Sequence, residues 1–314
     1  MARTASEWKE KYLSFCTANT PKVKELLASL TTSPFPGGFF DEAFAIKISA
    51  HFLEGLIIDH HLLSRVFNQA IGESGQQTQT WKKDIRTATG NLRNILRVRY
   101  RYSPAANALG SFTVSYLSMF VSVCVDDLEL LFGKDGVEES QNKYQDMQEW
   151  AHAQEARDAI WHAGQILRHL RFIERPLSGF VVVIAYQAGL VLLGYLHLRN
   201  QMDGAIDVIA GEHAVVLNGA EVPQPGAFVQ HGVGKLALQF NSEGSRRTVS
   251  PMTPQVVVQA VTESLFDKAL DIEQTPQLLT SGLVQLLRDI ASGNMQGRAD
   301  PRRIPSRCLE EELF

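Results

Sequence analysis

Residues 154–198 read QEARDAIWHAGQILRHLRFIERPLSGFVVVIAYQAGLVLLGYLHL, and the way the two halves of this stretch are read decides the fold. The first half places apolar residues at helical amphipathic spacing. The second, Leu177 to Leu198, contains no Asp, Glu, Lys or Arg, and a short Arg175-Pro176 break separates the two. A helix over the second half is long enough to cross a bilayer. It is also what the centre of a large helical bundle requires, because a helix apolar all round must be buried all round. Several features favour the bundle. The segment is a single one in mid-chain, Gln187, Gly189 and Gly194 interrupt it, and Tyr186 and Tyr195 lie within it instead of at its ends. Arg175 and Arg199 flank both sides, so no positive-inside asymmetry orients it. Ala185 and Gly189, four apart, let another helix approach closely in either setting. The expected fold class is all-α, a multi-helix bundle around this pair, with a membrane-anchored protein spanning at 177–198 as the alternative.

The chain has 314 residues, 45% apolar and 20% charged, enough for a sizeable core. Its 30 basic and 34 acidic residues give a net charge of −4, so no global field recruits nucleic acid or an anionic membrane. Cys16, Cys124 and Cys308 are far apart, and no CxxC pair or histidine at zinc-ligand spacing accompanies them. Structural zinc takes closely paired ligands, so neither a zinc cluster nor a disulfide framework is expected. MARTASEWKEKYLSF, at residues 1–15, lacks the apolar run of a secretory signal.

Outward from the central pair, the pattern predicts an N-terminal helical segment over 1–32, broken at Thr20-Pro21, and a loop over TTSPFPGGFF, 31–40. Asp41 caps a dense apolar helix that runs to Val66, and GESGQQTQT, 72–80, reads as a polar linker. Ala105 to Phe132 and Gln141 to Arg171 each read as one helix. A glycine-rich irregular segment covers 206–250, in which VVLNG is either a short strand or a turn of helix. Two amphipathic helices follow, Thr253 to Ile272 and Pro276 to Ser292. The Pro- and Arg-rich, then acidic-apolar stretch 294–314, ending LEEELF, is expected to stay disordered until bound.

Candidate functional residues are few. From Trp81 to Tyr102, Ile85, Ala88, Leu92, Ile95 and Leu96 share one helical face while Lys82, Arg86, Arg93, Arg97 and Arg101 share another. Such a stripe is either a solvated face or a contact surface for an acidic partner or a phosphate. Asp126, Asp127 and Glu129 do not make a cation loop, since Asp126 and Asp127 point about 100° apart on a helix. His152, Glu155, His162 and His169 spread along one helix too far to close on one ion, beyond the His152–Glu155 pair. Gly226, Gly232 and Gly234 fit no phosphate-loop spacing. No nucleophile elbow or cysteine-histidine arrangement is present, so no catalytic residue and no enzyme are expected.

EARDAIWHAGQILRHLR followed by LSGFVVVIAYQAGLVLLGYL resembles the regulatory, or middle-homology, domain of fungal transcription factors. The residues that carry the resemblance are Ala156, Arg157, Trp161, His162, Ala163, Gly164, Gln165 and Arg168, then Tyr186, Ala188 and Leu190. VVLNGAEVPQPGAFVQHGVGKLAL is similar to a later glycine-containing region of that family, and LLTSGLVQLLRDIASG to its closing helix. Asn218 stands where the family tends to an acid, and Lys235-Leu236 where it often has proline. The resemblance covers about 33–293. It implies an all-α regulatory domain, a nuclear setting, and a role in RNA polymerase II transcription beside the transcription machinery or another transcription factor. A small-molecule effector is a further possible partner. Zinc belongs only to the DNA-binding region of such factors, whose cysteines are missing here. No cofactor and no direct sequence-specific DNA binding are therefore expected of these residues. A helical small-molecule-binding protein or enzyme is the remaining alternative.

Overall fold

The computed structural model describes residues 50–61 (except 52), 75–99, 102, 104–132, 137–173, 177–203, 214–219, 226–241 (except 233), 247–266 and 277–293. The segments expected over 1–32 and 294–314, Cys16, Cys308 and Arg101 lie outside them. Helical residues 50–61 form α1. In chain order there follow α2 (Gly75–Arg99), α3 (Pro104–Ser122), α4 (Val125–Phe132), α5 (Val137–His152), α6 (Gln154–Leu170) and α7 (Gly179–Asp203). Then come β1 (Ala214–Val216), the short α8 (Gly226–His231), β2 (Lys235–Asn241), β3 (Arg247–Pro251), α9 (Pro254–Leu265) and α10 (Gln277–Ala291). The described chain is thus mostly α-helical, as the periodicity implies, with one small sheet.

The uncharged stretch is the central helix. Helices α4, α5, α6, α9 and α10 all pack on α7. Its 179–199 portion is apolar and long enough to cross a membrane, yet 83% of the most hydrophobic window is buried inside the protein. Side chains from neighbouring helices occupy the positions that lipid would need. Close approach is built in by glycine. A methyl group on Gly189 would stand 2.9 Å from Val261 Cγ2 of α9 and 3.0 Å from Leu287 Cδ1 of α10. On α6 the packing residues Ala156, Ala159, Ile160, Ala163, Ile166, Leu167 and Leu170 are fully buried, and α6 lies between α3 and α7.

Three boundaries differ from the sequence reading. The polar stretch at 72–80 is not all linker, because Gly75–Thr80 already belong to α2. Ala105–Phe132 is two helices, and the break at Val123–Cys124 holds no proline or glycine. There the Trp150 indole Nε1 donates to the Ser122 carbonyl at 2.9 Å, taking an acceptor that a continuing helix would use itself. The third helix, read as Gln141–Arg171, divides at Ala153, whose backbone is extended (φ −72°, ψ 162°). The His152 carbonyl freed at that step accepts from Arg157 Nη1 at 2.8 Å.

The segment expected to be irregular at 206–250 contains the sheet, ordered β1-β2-β3. VVLNG is strand and turn: β1 pairs parallel with β2, Val215 opposite Leu236, and β2 pairs antiparallel with β3, Leu238 opposite Ser250. Gly232 and Gly234 take positive φ (73° and 125°) between α8 and β2, a backbone that favours glycine. Helix α9 starts on a sequence-encoded cap, Thr253 accepting from Val256 N with Pro254 in the first turn.

Candidate functional site

Around α6 two polar assemblies collect most of the distinctive side chains. The first docks the sheet. Gly164 faces Leu217, so closely that a methyl group there would lie 2.5 Å from Leu217 Cβ and 2.6 Å from its carbonyl carbon and oxygen. One residue on, Gln165 is 2% exposed and donates from Nε2 to the Leu217 carbonyl at 2.7 Å and the Gly219 carbonyl at 3.4 Å. Arg168 donates to Gln165 Oε1 at 3.3 Å, which orients the amide so that its NH2 group faces the turn. Arg157 reaches α8, with Nε to the Val229 carbonyl at 2.9 Å and Nη2 to the Gln230 carbonyl at 3.2 Å. Arg171, just past α6, donates to the Gln239 carbonyl at 2.7 Å.

These donors answer a specific deficit. Strand β1 is only three residues long, so β2 runs past its end with backbone groups that no strand pairs. Asn218 replaces the missing strand. Its Oδ1 accepts from Gln239 N at 2.7 Å and its Nδ2 donates to Gln239 O at 2.9 Å. An acid at this position could accept but not donate. The departure from the resembled pattern at Asn218 thus adds one hydrogen bond. Arg171 was not singled out from sequence, and Asn218 only as a departure from the resembled pattern, since only the three-dimensional pairing of β2 gives them a task.

The second assembly joins α2, α3, α5 and α6. Ser122 Oγ donates to Asp158 Oδ2 at 2.9 Å, Arg86 Nη2 to Ser122 Oγ at 3.5 Å, and Arg86 stands 3.9 Å from Asp158. His162 Nε2 lies 3.7 Å from Asp158 Oδ1. Serine, aspartate and histidine meet here, but the carboxylate sits between the hydroxyl and the imidazole. A nucleophile relay needs the imidazole in that place. Ser122 is moreover buried, closed to a substrate.

The basic stripe divides accordingly. Arg86 turns inward to Ser122 and Asp158. Lys82 is half-buried, and burial holds its pKa below the ordinary amine value, with Glu155 opposing that shift and Arg86 adding to it. Arg93 and Arg97 are exposed. Beside the stripe, His60 stacks on Trp81 with ring centroids 3.6 Å apart, and burial, then His61 and Lys82, push its pKa down. At the other end of α1, Glu54 lies against His51 (3.3 Å) and Tyr116. Burial raises its pKa, against the pull of both neighbours.

The histidines are dispersed, as their spacing implies. His162 and His169 are buried, while His152 is exposed with Nδ1 2.7 Å from Arg199 Nη1. Among the described residues no group of three or more His, Cys, Asp or Glu side chains is placed to hold a metal ion. Compared with models of protein families, with curated proteins and with solved structures, the chain matches none.

Proposed function

We propose that the chain is the regulatory domain of a fungal transcription factor, acting in the nucleus on RNA polymerase II transcription. DNA is read by another region or a partner, and the domain itself carries no cofactor. The observation that supports this reading is a convergence of two separate sequence blocks. The residues that resemble the family at 156–168 and those that resemble it at 215–238 touch one another through Arg157, Gly164 and Gln165. A chance likeness in two blocks some fifty residues apart has no reason to meet in one interface.

In this reading the domain contributes contacts and not chemistry. Its partners are the transcription machinery or another transcription factor, with a small-molecule effector as a further candidate. The test tethers the full chain to an unrelated DNA-binding domain in a fungal cell. Transcription of a reporter carrying the matching sites changes if the reading is right, and the chain concentrates in the nucleus. An unchanged reporter together with recovery of the chain in a carbonate-resistant membrane pellet refutes it in favour of a membrane protein. An unchanged reporter with soluble chain outside the nucleus refutes it in favour of a helical binding protein or enzyme.

A further inference from the structure

Serine or threonine precedes proline at six places in the chain, and four of these, Thr20, Ser33, Ser103 and Thr275, lie outside the described residues. The other two, Ser250 and Thr253, stand three residues apart in RTVSPMTPQ, 247–255, and the fold treats them oppositely. Ser250 is inside β3, paired with Leu238 of β2, and shares the sheet face of the buried Leu238 and Met252. Thr253 lies just past β3 and is exposed. Its backbone is still extended (φ −123°, ψ 163°), and the bond from Met252 N to Leu236 O at 2.9 Å carries the β2–β3 register beyond Pro251. The same register sets Lys235 opposite Thr253, on the face that the exposed Val249 and Pro251 also share. Opposed residues of an antiparallel pair hold their Cβ atoms about 4.5–5.5 Å apart. The exposed Lys235 side chain is therefore within reach of any group that the Thr253 hydroxyl bears.

We propose that Thr253 is a phosphorylation site for proline-directed protein kinases, and that Lys235 holds the phosphate it receives. Such kinases take an extended chain in which proline follows the hydroxyl residue. Proline suits a cleft that offers no acceptor to a backbone N–H, because it has none to satisfy. In the transfer, Thr253 Oγ1 bonds the γ-phosphorus of kinase-bound ATP and the bond to the bridging oxygen breaks. ADP leaves, and the hydroxyl proton passes to the kinase's catalytic aspartate. The phosphate brings about −2 charge and three strong acceptor oxygens. No acidic residue in the first turn of α9 opposes it. Its oxygens extend the contact that the hydroxyl already makes, accepting from Val256 N at 3.3 Å, while the Lys235 ammonium pairs with the added charge. Phosphorylation thereby tightens the junction of β2, β3 and α9. The inference does not rest on the transcriptional reading, since the hydroxyl, the proline and the lysine act alike whatever the domain regulates.

The test incubates the full chain with magnesium ATP and, separately, a cyclin-dependent and a mitogen-activated kinase, and maps the phosphorylated positions by peptide mass spectrometry. Phosphate at Thr253 and not at Ser250 is expected. Pro254→Ala abolishes it and leaves any phosphorylation at the other motifs unchanged. In the phosphorylated chain, exchange of the Val256 amide slows about twofold to fivefold, the effect of a negative charge at a helix N-terminus. Phosphorus NMR reads the contact with Lys235. The phosphothreonine titrates below its usual value of about 6, and Lys235→Gln, still phosphorylated at Thr253, moves it back up. No phosphate at Thr253 from either kinase, equal labelling of Ser250, or undiminished labelling of Pro254→Ala each overturn the site. A titration that Lys235→Gln leaves unmoved overturns the part given to the lysine.

Discussion

Alanine in place of Gly164 puts a methyl group where Leu217 already stands. The added carbon would lie 2.5 Å from Leu217 Cβ and 2.6 Å from its carbonyl carbon and oxygen. Ordinary carbon contacts are about 3.5–4.0 Å, so the two segments must part by about 1 Å or more. Two of the three obstructing atoms are backbone, so no rotamer change relieves them. Parting the segments also stretches the 2.7 Å bond from Gln165 Nε2 to the Leu217 carbonyl past hydrogen-bonding range. Overpacking of this kind costs about 1–3 kcal/mol. The lost buried hydrogen bond adds about 1 kcal/mol. Alanine returns about 1 kcal/mol through its better helix propensity, which leaves a net destabilisation of about 1–3 kcal/mol. Urea unfolding of the full chain measures this as a lower midpoint. Gly90→Ala is the internal control. It sits in α2, exposed, with nothing within 4 Å of the added methyl, and should gain about 0.5–1 kcal/mol from propensity alone. If Gly164→Ala is as stable as the wild type, or gains as Gly90→Ala does, the close approach of α6 and β1 is not what selects glycine there.

Further perturbations probe the same framework. Gln165→Leu removes the donor to the Leu217 and Gly219 carbonyls and should cost about 1–3 kcal/mol in urea unfolding, because buried acceptors are left without it. A neutral result would place water or another donor at those carbonyls. Arg157→Met should raise amide exchange chiefly at residues 229–232, where the guanidinium holds the α8 carbonyls, while the amides of α9 stay protected. Uniform loss across the chain would contradict a local latch. The folded-state pKa of His60 is lowered from 6.5, so the unfolded chain takes up its proton first as pH falls. Stability attributable to His60 is complete above 6.5 and is lost as pH falls from 6.5 through the folded value. His60→Phe, which retains an aromatic ring against Trp81, should flatten that part of the stability profile. Gly194→Ala meets only the flexible end of Leu128, with Cδ2 2.6 Å away, and should cost less than Gly164→Ala in the same assay. An equal or larger cost would show that backbone contact does not set the ranking.

Much of the helical architecture was legible because long apolar periodicity has few alternative explanations. The face Ile85, Ala88, Leu92 and Leu96 is buried as spaced, and the uncharged stretch became a helix surrounded by protein. What sequence did not disclose depends on partners distant in the chain. The break after Ser122 follows from an indole twenty-eight residues later, and the break at Ala153 from a guanidinium on the next helix. Neither leaves a proline, glycine or capping residue to be read. The sheet stayed undecided for a related reason. Three apolar residues such as Ala214–Val216 fit a strand and a helical turn equally well. Only β2, about twenty residues onward, decides between them. The basic stripe was legible as a face but not as a division of labour. Lys82 and Arg86 lie toward Glu155 and Asp158 of α6, whereas Arg93 and Arg97 are exposed.

The combination of small residues and donors on α6 has one physical origin. A sheet with strands this short gains its stability by packing against a helix. Its strands of three, seven and five residues also leave backbone groups beyond the ladder. A purely apolar helix would bury such carbonyls without partners, at about 1–3 kcal/mol apiece. A purely polar one could not hold the other side of the core, where Ala156, Ala159, Ala163 and Leu167 are fully buried. Helix α6 meets both demands by phase. Gly164 admits the backbone of the β1 turn, Gln165 and Arg157 donate to it and to α8, and the remaining faces pack on α3 and α7. The pattern at 156–168 therefore specifies how a small sheet is attached to a helical bundle.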